Sequence, residues 1–276
     1  MISAKDVKRL RDMTGAGMMD CKKALTESGG DFEAAVDFLR KKGQKVSAKR
    51  SDREAKEGVI VTAVTEDGST GAIAEINCET DFVARNDEFQ AFANSIITLV
   101  LTERPADVDA LKTASLGTGK TVGNAVEEMT GKIGEKIEIR RFSLVHADGM
   151  GKIVEYVHPG SRLGVLVKLS GNGNLDTVGR DVAMQVAAMS PVATKRDEVD
   201  TSIQEKEMEI AREVARNEGK PDNIVERIAT GKLERFFKDN VLVEQAFVKD
   251  ASITVKEMLK QNDAEVHGFE RFGLGA

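Results

Sequence analysis

The chain has 276 residues, of which 41% are hydrophobic and 31% are charged, and its formal net charge is −6. This length allows one to three domains with a sizeable buried core, and the composition is that of a folded protein rather than a disordered one. The negative charge argues against direct nucleic-acid binding, because phosphate contacts require clustered positive surface. The longest apolar runs are only a few residues, so the sequence predicts no membrane-spanning segment.

The two cysteines, Cys21 and Cys78, have neither a paired spacing nor a histidine-rich neighbourhood. This pattern predicts free thiols in a reduced, cytoplasmic setting.

Residues 1–43 are predicted to form a module of three short helices. Ser3 and Asp31 are suitable N-caps for the first and third helices, and Gly43 is predicted to end the third. Three helices in about 40 residues have only a marginal core, which favours an interaction module over a catalytic domain. Residues 41–57 hold seven basic and three acidic side chains and little apolar periodicity, so 44–57 are predicted to be a charged linker that can be partly helical.

Four residues of the second predicted helix stand out because two lysines lie close to two methionines: Met18, Met19, Lys22 and Lys23. The lysines can form a solvated face, or the four side chains can together grip a partner.

A strand followed by a helix is predicted within 71–92. Apolar residues alternate up to Asn77, and from Asn86 they recur every three or four residues, with Asn86 as the N-cap. The corner between these elements contains Phe82, which must be covered either by this chain or by another protein. Burial statistics favour a core plug, whereas the energetics of interfaces favour an aromatic wedge presented to a partner.

The sequence from residue 58 onward contains a repeat with an offset of 93, so that Gly58-Val59-Ile60-Val61 aligns with Gly151-Lys152-Ile153-Val154. Two strands, a turn and a helix occur in each copy, which predicts a duplicated α+β core. We assign the first subdomain to 58–145 and the second to 146–190 and 239–276.

The second copy is longer because it contains an insertion at 191–238. Two densely charged helices are predicted there, separated by Gly219-Lys220-Pro221. A helical hairpin of this kind, resembling a short coiled coil, cannot bury both faces by itself. It is therefore a candidate for homodimerisation or for a partner-binding arm, or else a solvated excursion.

No group of residues indicates catalysis. The stretch 116–121 resembles a phosphate-binding loop but has Ala114 where that motif needs glycine, and the three histidines are scattered. We expect no cofactor and no resident metal, and a protein-binding module is favoured over an enzyme.

Five segments of the chain carry a specific resemblance: TGAGMMDCKKAL at 14–25, ETDFVARN at 79–86, and the segments at 132–141, 158–167 and 218–237. In this order they resemble the bacterial elongation factor Ts family. The resemblance covers essentially the whole chain. It implies an α+β fold with an N-terminal ubiquitin-associated-like three-helix module, a duplicated core and a helical-hairpin insertion.

The resemblance implies a translation elongation factor that binds elongation factor Tu, both GDP-bound and nucleotide-free, and exchanges its guanine nucleotide without being an enzyme. The residues that would disturb the magnesium site of elongation factor Tu are Thr80, Asp81, Phe82 and Val83. Other contacts with elongation factor Tu are implied for Met18, Met19, Lys22, Lys23, Ile133, Gly134, Glu135 and His158. The alternative is a ubiquitin-associated-type adaptor or ribosome-associated binding factor without exchange activity.

Overall fold

The computed structural model describes residues 2–117, 119–149 and 151–275. The fold is α+β, as the sequence predicts. The helices are α1 (Ala4–Thr14), α2 (Met18–Glu27), α3 (Phe32–Arg50), α4 (Asp81–Ala84), α5 (Asp87–Glu103), α6 (Val108–Thr113), α7 (Val122–Ile133), α8 (Leu175–Met189), α9 (Thr201–Asn217), α10 (Asp222–Asn240) and α11 (Val255–Gln261). The strands are β1 (Glu57–Val64), β2 (Thr70–Cys78), β3 (Glu138–His146), β4 (Lys152–Val157), β5 (Leu163–Gly171), β6 (Ala246–Phe247), β7 (Asp250–Thr254) and β8 (Ala264–Gly273).

The chain divides into two compact units. The first combines the residues up to Val61 with Ala74–Phe142 and the residues from Leu274 onward, and the second combines Thr62–Ile73 with Ser143–Gly273. The domain limits given above follow the module, the repeat and the insertion instead, and they stay predictions.

The N-terminal helices form because each begins with a suitable cap and carries one apolar stripe. The Ser3 side chain accepts a hydrogen bond from the backbone of Asp6 and completes a capping box, and Asp31 caps α3 by accepting from Ala34. These two predicted caps are confirmed. The apolar stripes meet in a small core around the fully buried Leu10 and Leu25.

The predicted end of the third helix at Gly43 is wrong, because α3 continues to Arg50 and includes the first half of the predicted linker. Gly43 is buried where α3 crosses α7, and a Cβ atom built at Gly131 would overlap the Gly43 Cα atom. Glycine is therefore present at this position because two helix backbones approach closely, and its role is not that of a helix cap.

Two three-stranded sheets have the same order relative to the chain, β1-β2-β3 and β4-β5-β8. In the second sheet β5 pairs antiparallel with both neighbours, and its Val165 and Val167 pack against Val182 and Val186 of α8. In the first sheet β2 is buried along its whole length.

Glu75 of β2 is completely buried, and its carboxylate accepts a 2.8 Å hydrogen bond from the Arg141 guanidinium. A buried carboxylate requires such a partner, since an isolated charge in the interior is costly.

The insertion forms two long helices, α9 and α10, that pack against each other along small buried residues such as Ala211 and Ala229. Its two ends lie side by side, because the Val192 N–H donates to the Asn240 carbonyl at 2.9 Å. Arg196 holds this base through ion pairs with Glu234 of α10 and Glu244, which follows α10.

Within the described residues no helix is both long and apolar enough to cross a membrane. The same residues contain no cluster of three or more histidine, cysteine or carboxylate side chains that would hold a metal ion. Thr118, which belongs to the rejected phosphate-loop stretch, lies outside the described residues.

Candidate protein-interaction site

The corner between β2 and α5 is a single turn of helix with a cap on each side. Thr80 caps α4 by accepting a hydrogen bond from the Val83 N–H at 3.4 Å. Asn86 then caps α5 by accepting from the backbone of Glu88 and Phe89, which confirms the predicted N-cap. Two caps within seven residues fix where the chain leaves the strand and where it enters the helix.

Phe82 projects from this corner with 82% of its surface exposed. Its neighbour Val83 is half-buried, Ala84 is buried, and Phe89 at the start of α5 is completely buried. The core-plug interpretation of Phe82 is therefore wrong, because the residues on either side supply the packing of the corner and the Phe82 ring is left outside. An exposed phenylalanine on a rigid support is a feature suited to binding another protein.

Glu135 holds the start of the corner. Its carboxylate accepts a hydrogen bond from the Thr80 N–H at 3.0 Å and another from the Thr80 hydroxyl at 2.7 Å. The hydroxyl at the same time accepts from Val83, so Thr80 is fixed through both its backbone and its side chain. Hydrogen bonds to an ionised carboxylate are stronger than those between neutral groups, and the pair limits movement of the residues that carry Phe82.

Glu79 makes a second link between the corner and the segment that contains Glu135. Here the carboxylate belongs to the corner and the donor to the other segment. Its carboxylate accepts a 2.7 Å hydrogen bond from the Lys136 N–H and pairs with Arg50 at 2.8 Å. Burial raises the pKa of this carboxyl, but the Lys136 hydrogen bond and the Arg50 charge outweigh burial and leave the pKa below its ordinary value. Glu79 is thus held in its charged form.

Cys78 lies buried below the corner and donates to the Thr80 carbonyl. Burial, together with the nearby charge of Glu135, raises the pKa of the Cys78 thiol to about 12. The thiol is therefore neutral near pH 7 and has the character of a structural cysteine rather than of a nucleophile.

Asp81 lies at the start of α4 and pairs with Arg85 at 2.8 Å on the exposed side of the corner. An exposed pair of this kind contributes little to stability. The pair therefore holds the Asp81 carboxylate only weakly.

The other residues of the first unit that the resemblance implies lie in two places. Ile133 ends α7, and Gly134 follows it in the left-handed conformation that lets the chain turn toward Glu135. Met18 and Met19 are exposed at the start of α2, and they are followed on the same helix by the exposed pair Lys22 and Lys23. The structure therefore brings Glu135 to the corner, while the methionines and lysines form a surface on the module.

His158 lies in the second unit, at the turn after β4. It is exposed, and its Nδ1 is hydrogen-bonded to the Tyr156 hydroxyl at 2.9 Å. This contact orients the ring without burying it.

The sequence-based site omits Glu79, Arg50 and Lys136, which support the corner. No local signal identifies them, because their partners are distant in the sequence and a single charged residue on a helix or loop has many possible roles.

Comparison with known proteins identifies the family to which this sequence is similar. The model of a family described as "Elongation factor TS" matches residues 79–276. A protein named "Elongation factor Ts" from Chlorobium phaeobacteroides (strain BS1) is 48% identical over 286 aligned residues, which cover 100% of this chain and 99% of the relative.

Two further relatives carry the same name. One, from Chloroherpeton thalassium, is 47% identical, and the alignment covers 99% of this chain and 98% of the relative. One from Cytophaga hutchinsonii is 48% identical, with 94% of this chain and 92% of its own length covered. The similarity therefore includes the N-terminal module, which precedes the part matched by the family model.

Proposed function

The chain belongs to the elongation factor Ts family of translation elongation factors, and on that premise we propose that it is a guanine-nucleotide exchange factor for elongation factor Tu. The observation that carries this proposal is the exposed Phe82 ring on a corner held by Glu79 and Glu135. The proposal places the chain in the cytoplasm, because translation elongation takes place there.

In this proposal Thr80, Asp81, Phe82 and Val83 press against the GTPase and disturb its magnesium site. A bound nucleoside diphosphate depends on the cation to compensate its phosphate charge, so loss of the metal's support weakens GDP binding. No residue of this chain reacts with the nucleotide, and the chain is therefore not an enzyme in this role. Exchange is instead a coupling free energy, since the factor weakens GDP binding by the same ratio that GDP weakens binding of the factor.

The magnitudes require more than one contact. A thousandfold weakening of GDP binding corresponds to roughly 4 kcal/mol, whereas one buried aromatic anchor contributes about 2–4 kcal/mol. We therefore assign supporting contacts to two further regions of the first unit and one of the second. They are the exposed residues of the module, Met18, Met19, Lys22 and Lys23, the segment Ile133, Gly134 and Glu135, and His158.

The test is stopped-flow release of fluorescently labelled GDP from elongation factor Tu, with wild type, Phe82→Ala and Met189→Ala. Met189 is a matched control because it is also an exposed apolar side chain. We expect Phe82→Ala to slow GDP release by about thirtyfold or more and Met189→Ala to leave it unchanged. Both variants should melt like wild type, because removing an exposed side chain changes stability by only about 0.5 kcal/mol. Normal release by Phe82→Ala would contradict the proposed role of the ring.

One feature favours a second candidate, an adaptor that binds proteins through the module without exchange activity. Met19 has 74% of its surface exposed beside the two lysines, which suits a binding surface that acts independently of Phe82. Capture of partners from a bacterial lysate separates the candidates. Enrichment of one GTPase, released by added GDP, supports exchange, while ribosomal RNA or mixed clients that ignore GDP support the adaptor.

A further inference from the structure

Lys132 lies in the last turn of α7 and contacts two other parts of the first unit. Its ammonium group pairs with Glu88 in the first turn of α5. Its Nζ and Cε atoms lie over Gly15, which follows α1 in the left-handed conformation at φ 64°. One side chain thus connects the N-terminal module with α5, the helix that follows the corner carrying Phe82.

The end of this side chain occupies the space in which a Cβ atom at Gly15 would lie. A Cβ atom built at Gly15 would lie 3.3 Å from Cδ of Lys132 and would overlap Cε and Nζ. Gly29 has nearly the same backbone conformation, φ 61°, but no atom lies within 4 Å of a Cβ atom built there. The close approach at Gly15 is therefore a specific contact with Lys132 and does not follow from the backbone conformation alone.

The chain that follows Lys132 runs directly to the corner. Gly134 turns the backbone at the end of α7, and Glu135 then binds Thr80 through two hydrogen bonds. Within four residues, 132–135, the chain therefore contacts the module, the start of α5 and the N-cap of the corner.

We propose that Lys132 is a positioning residue that fixes the N-terminal module relative to the Phe82 corner, so that the two surfaces meet elongation factor Tu in one arrangement. This inference rests on the proposed exchange function for its consequence, but the positioning itself is a property of the free chain. An exposed ion pair alone would be too weak for this role. The same ammonium group also lies against Gly15, so removing it removes both contacts together. The packing of α3 on α7 supplies the remaining restraint.

The experiment measures position and exchange separately in the full chain. Spin labels on Glu27→Cys in the module and Asn94→Cys on α5 report their distance distribution by pulsed electron paramagnetic resonance, since both native cysteines are buried. The test variant is Lys132→Met, which keeps an unbranched side chain and removes the ammonium group that contacts Glu88 and Gly15. The control is Lys112→Met, which removes an exposed ion pair with Asp109 in α6.

We expect a narrow distribution in wild type and Lys112→Met, and a broader one in Lys132→Met with an unchanged melting temperature. GDP release promoted by Lys132→Met should be about two- to thirtyfold slower, the range typical of coupling between linked sites. An unchanged distribution in Lys132→Met would overturn the positioning role. Broadening in Lys132→Met, with no exchange by wild type, would support positioning and overturn the proposed exchange function.

A second pair of variants separates the contact from backbone strain. Gly15→Ala should displace Lys132 and broaden the distribution, while Gly29→Ala, with the same strain but open space, should leave it narrow. Equal broadening by both variants would overturn the role of the Gly15 contact.

Discussion

Glu135 accepts two hydrogen bonds from Thr80, although 55 residues separate them in the sequence. One comes from the Thr80 backbone and the other from its hydroxyl, at 3.0 and 2.7 Å. Glu79, next to Thr80, accepts in turn from the backbone of Lys136, next to Glu135. Residues 79–80 and residues 135–136 therefore each supply a carboxylate that binds the other segment. Phe82 projects from the corner that these hydrogen bonds hold.

Glu135→Ala should loosen the corner in the free chain, without any partner present. The substitution leaves the partly buried Thr80 N–H without its acceptor, and an unsatisfied group costs up to about 1–3 kcal/mol. We expect a lower free energy of unfolding by urea and faster hydrogen exchange at the Thr80 amide in the free chain. Glu138→Ala, which removes an exposed partner of Lys136 on β3, is the control and should change neither quantity. A Thr80 amide that stays protected from exchange in Glu135→Ala would contradict the role of Glu135 in holding Thr80.

The charge of Glu79 predicts a pH-dependent contribution to stability. Its folded pKa lies below the ordinary value of about 4.3, because the Lys136 hydrogen bond and Arg50 outweigh the effect of burial. The contribution is therefore complete above that value and is lost as the pH falls through the folded pKa. We expect wild type to be more stable than Glu79→Gln near pH 7, with the difference shrinking as the pH falls below about 4.3. Urea unfolding at a series of pH values measures it, and a difference independent of pH would exclude an ionic origin.

The two cysteines should be unreactive in the folded chain. Both are buried, burial raises the pKa of each thiol, and at a pKa of about 12 only about one Cys78 in ten thousand is a thiolate at pH 8. We expect Ellman's reagent at pH 8 to modify neither thiol until urea unfolds the chain. Glu27→Cys provides an exposed thiol as the positive control. Rapid modification of wild type would show that the corner opens readily around Cys78.

The features that the sequence predicts correctly are those with a local signal. Ser3, Asp31 and Asn86 are confirmed as N-caps because each acts within three residues of itself. The α+β class follows from apolar periodicity, which is also local.

The features that the sequence predicts wrongly, or for which it leaves two alternatives, have a cause that lies elsewhere in the chain. The pattern near Gly43 predicts the end of a helix, but glycine is needed there because of the distant Gly131, which no pattern near residue 43 reveals. The exposure of Phe82 depends on Ala84 and Phe89 filling the space beneath the corner, so neither interpretation could be excluded beforehand. The hydrogen bonds between Thr80 and Glu135 have no sequence signature, because the two residues lie far apart in the chain.

The hairpin of α9 and α10 presents apolar side chains that its own packing leaves uncovered. Ala211 and Ala215 of α9 are buried in the hairpin, whereas Ile203, Ile210 and Val214 of the same helix are exposed. Homodimerisation through 191–238 therefore stays a prediction with a defined surface to test.

Ile210→Ser/Val214→Ser should abolish self-association if this face forms the dimer. Burying such side chains removes apolar surface from water, and two of them on each chain contribute several kcal/mol to a symmetric interface. Sedimentation velocity should then give twice the 29.9 kDa chain mass for wild type and the single mass for the variant. Val248→Ser, an exposed apolar position after the hairpin, should keep the wild-type mass. A wild type that stays at the single mass across concentrations, or a variant that still dimerises, would rule out this interface.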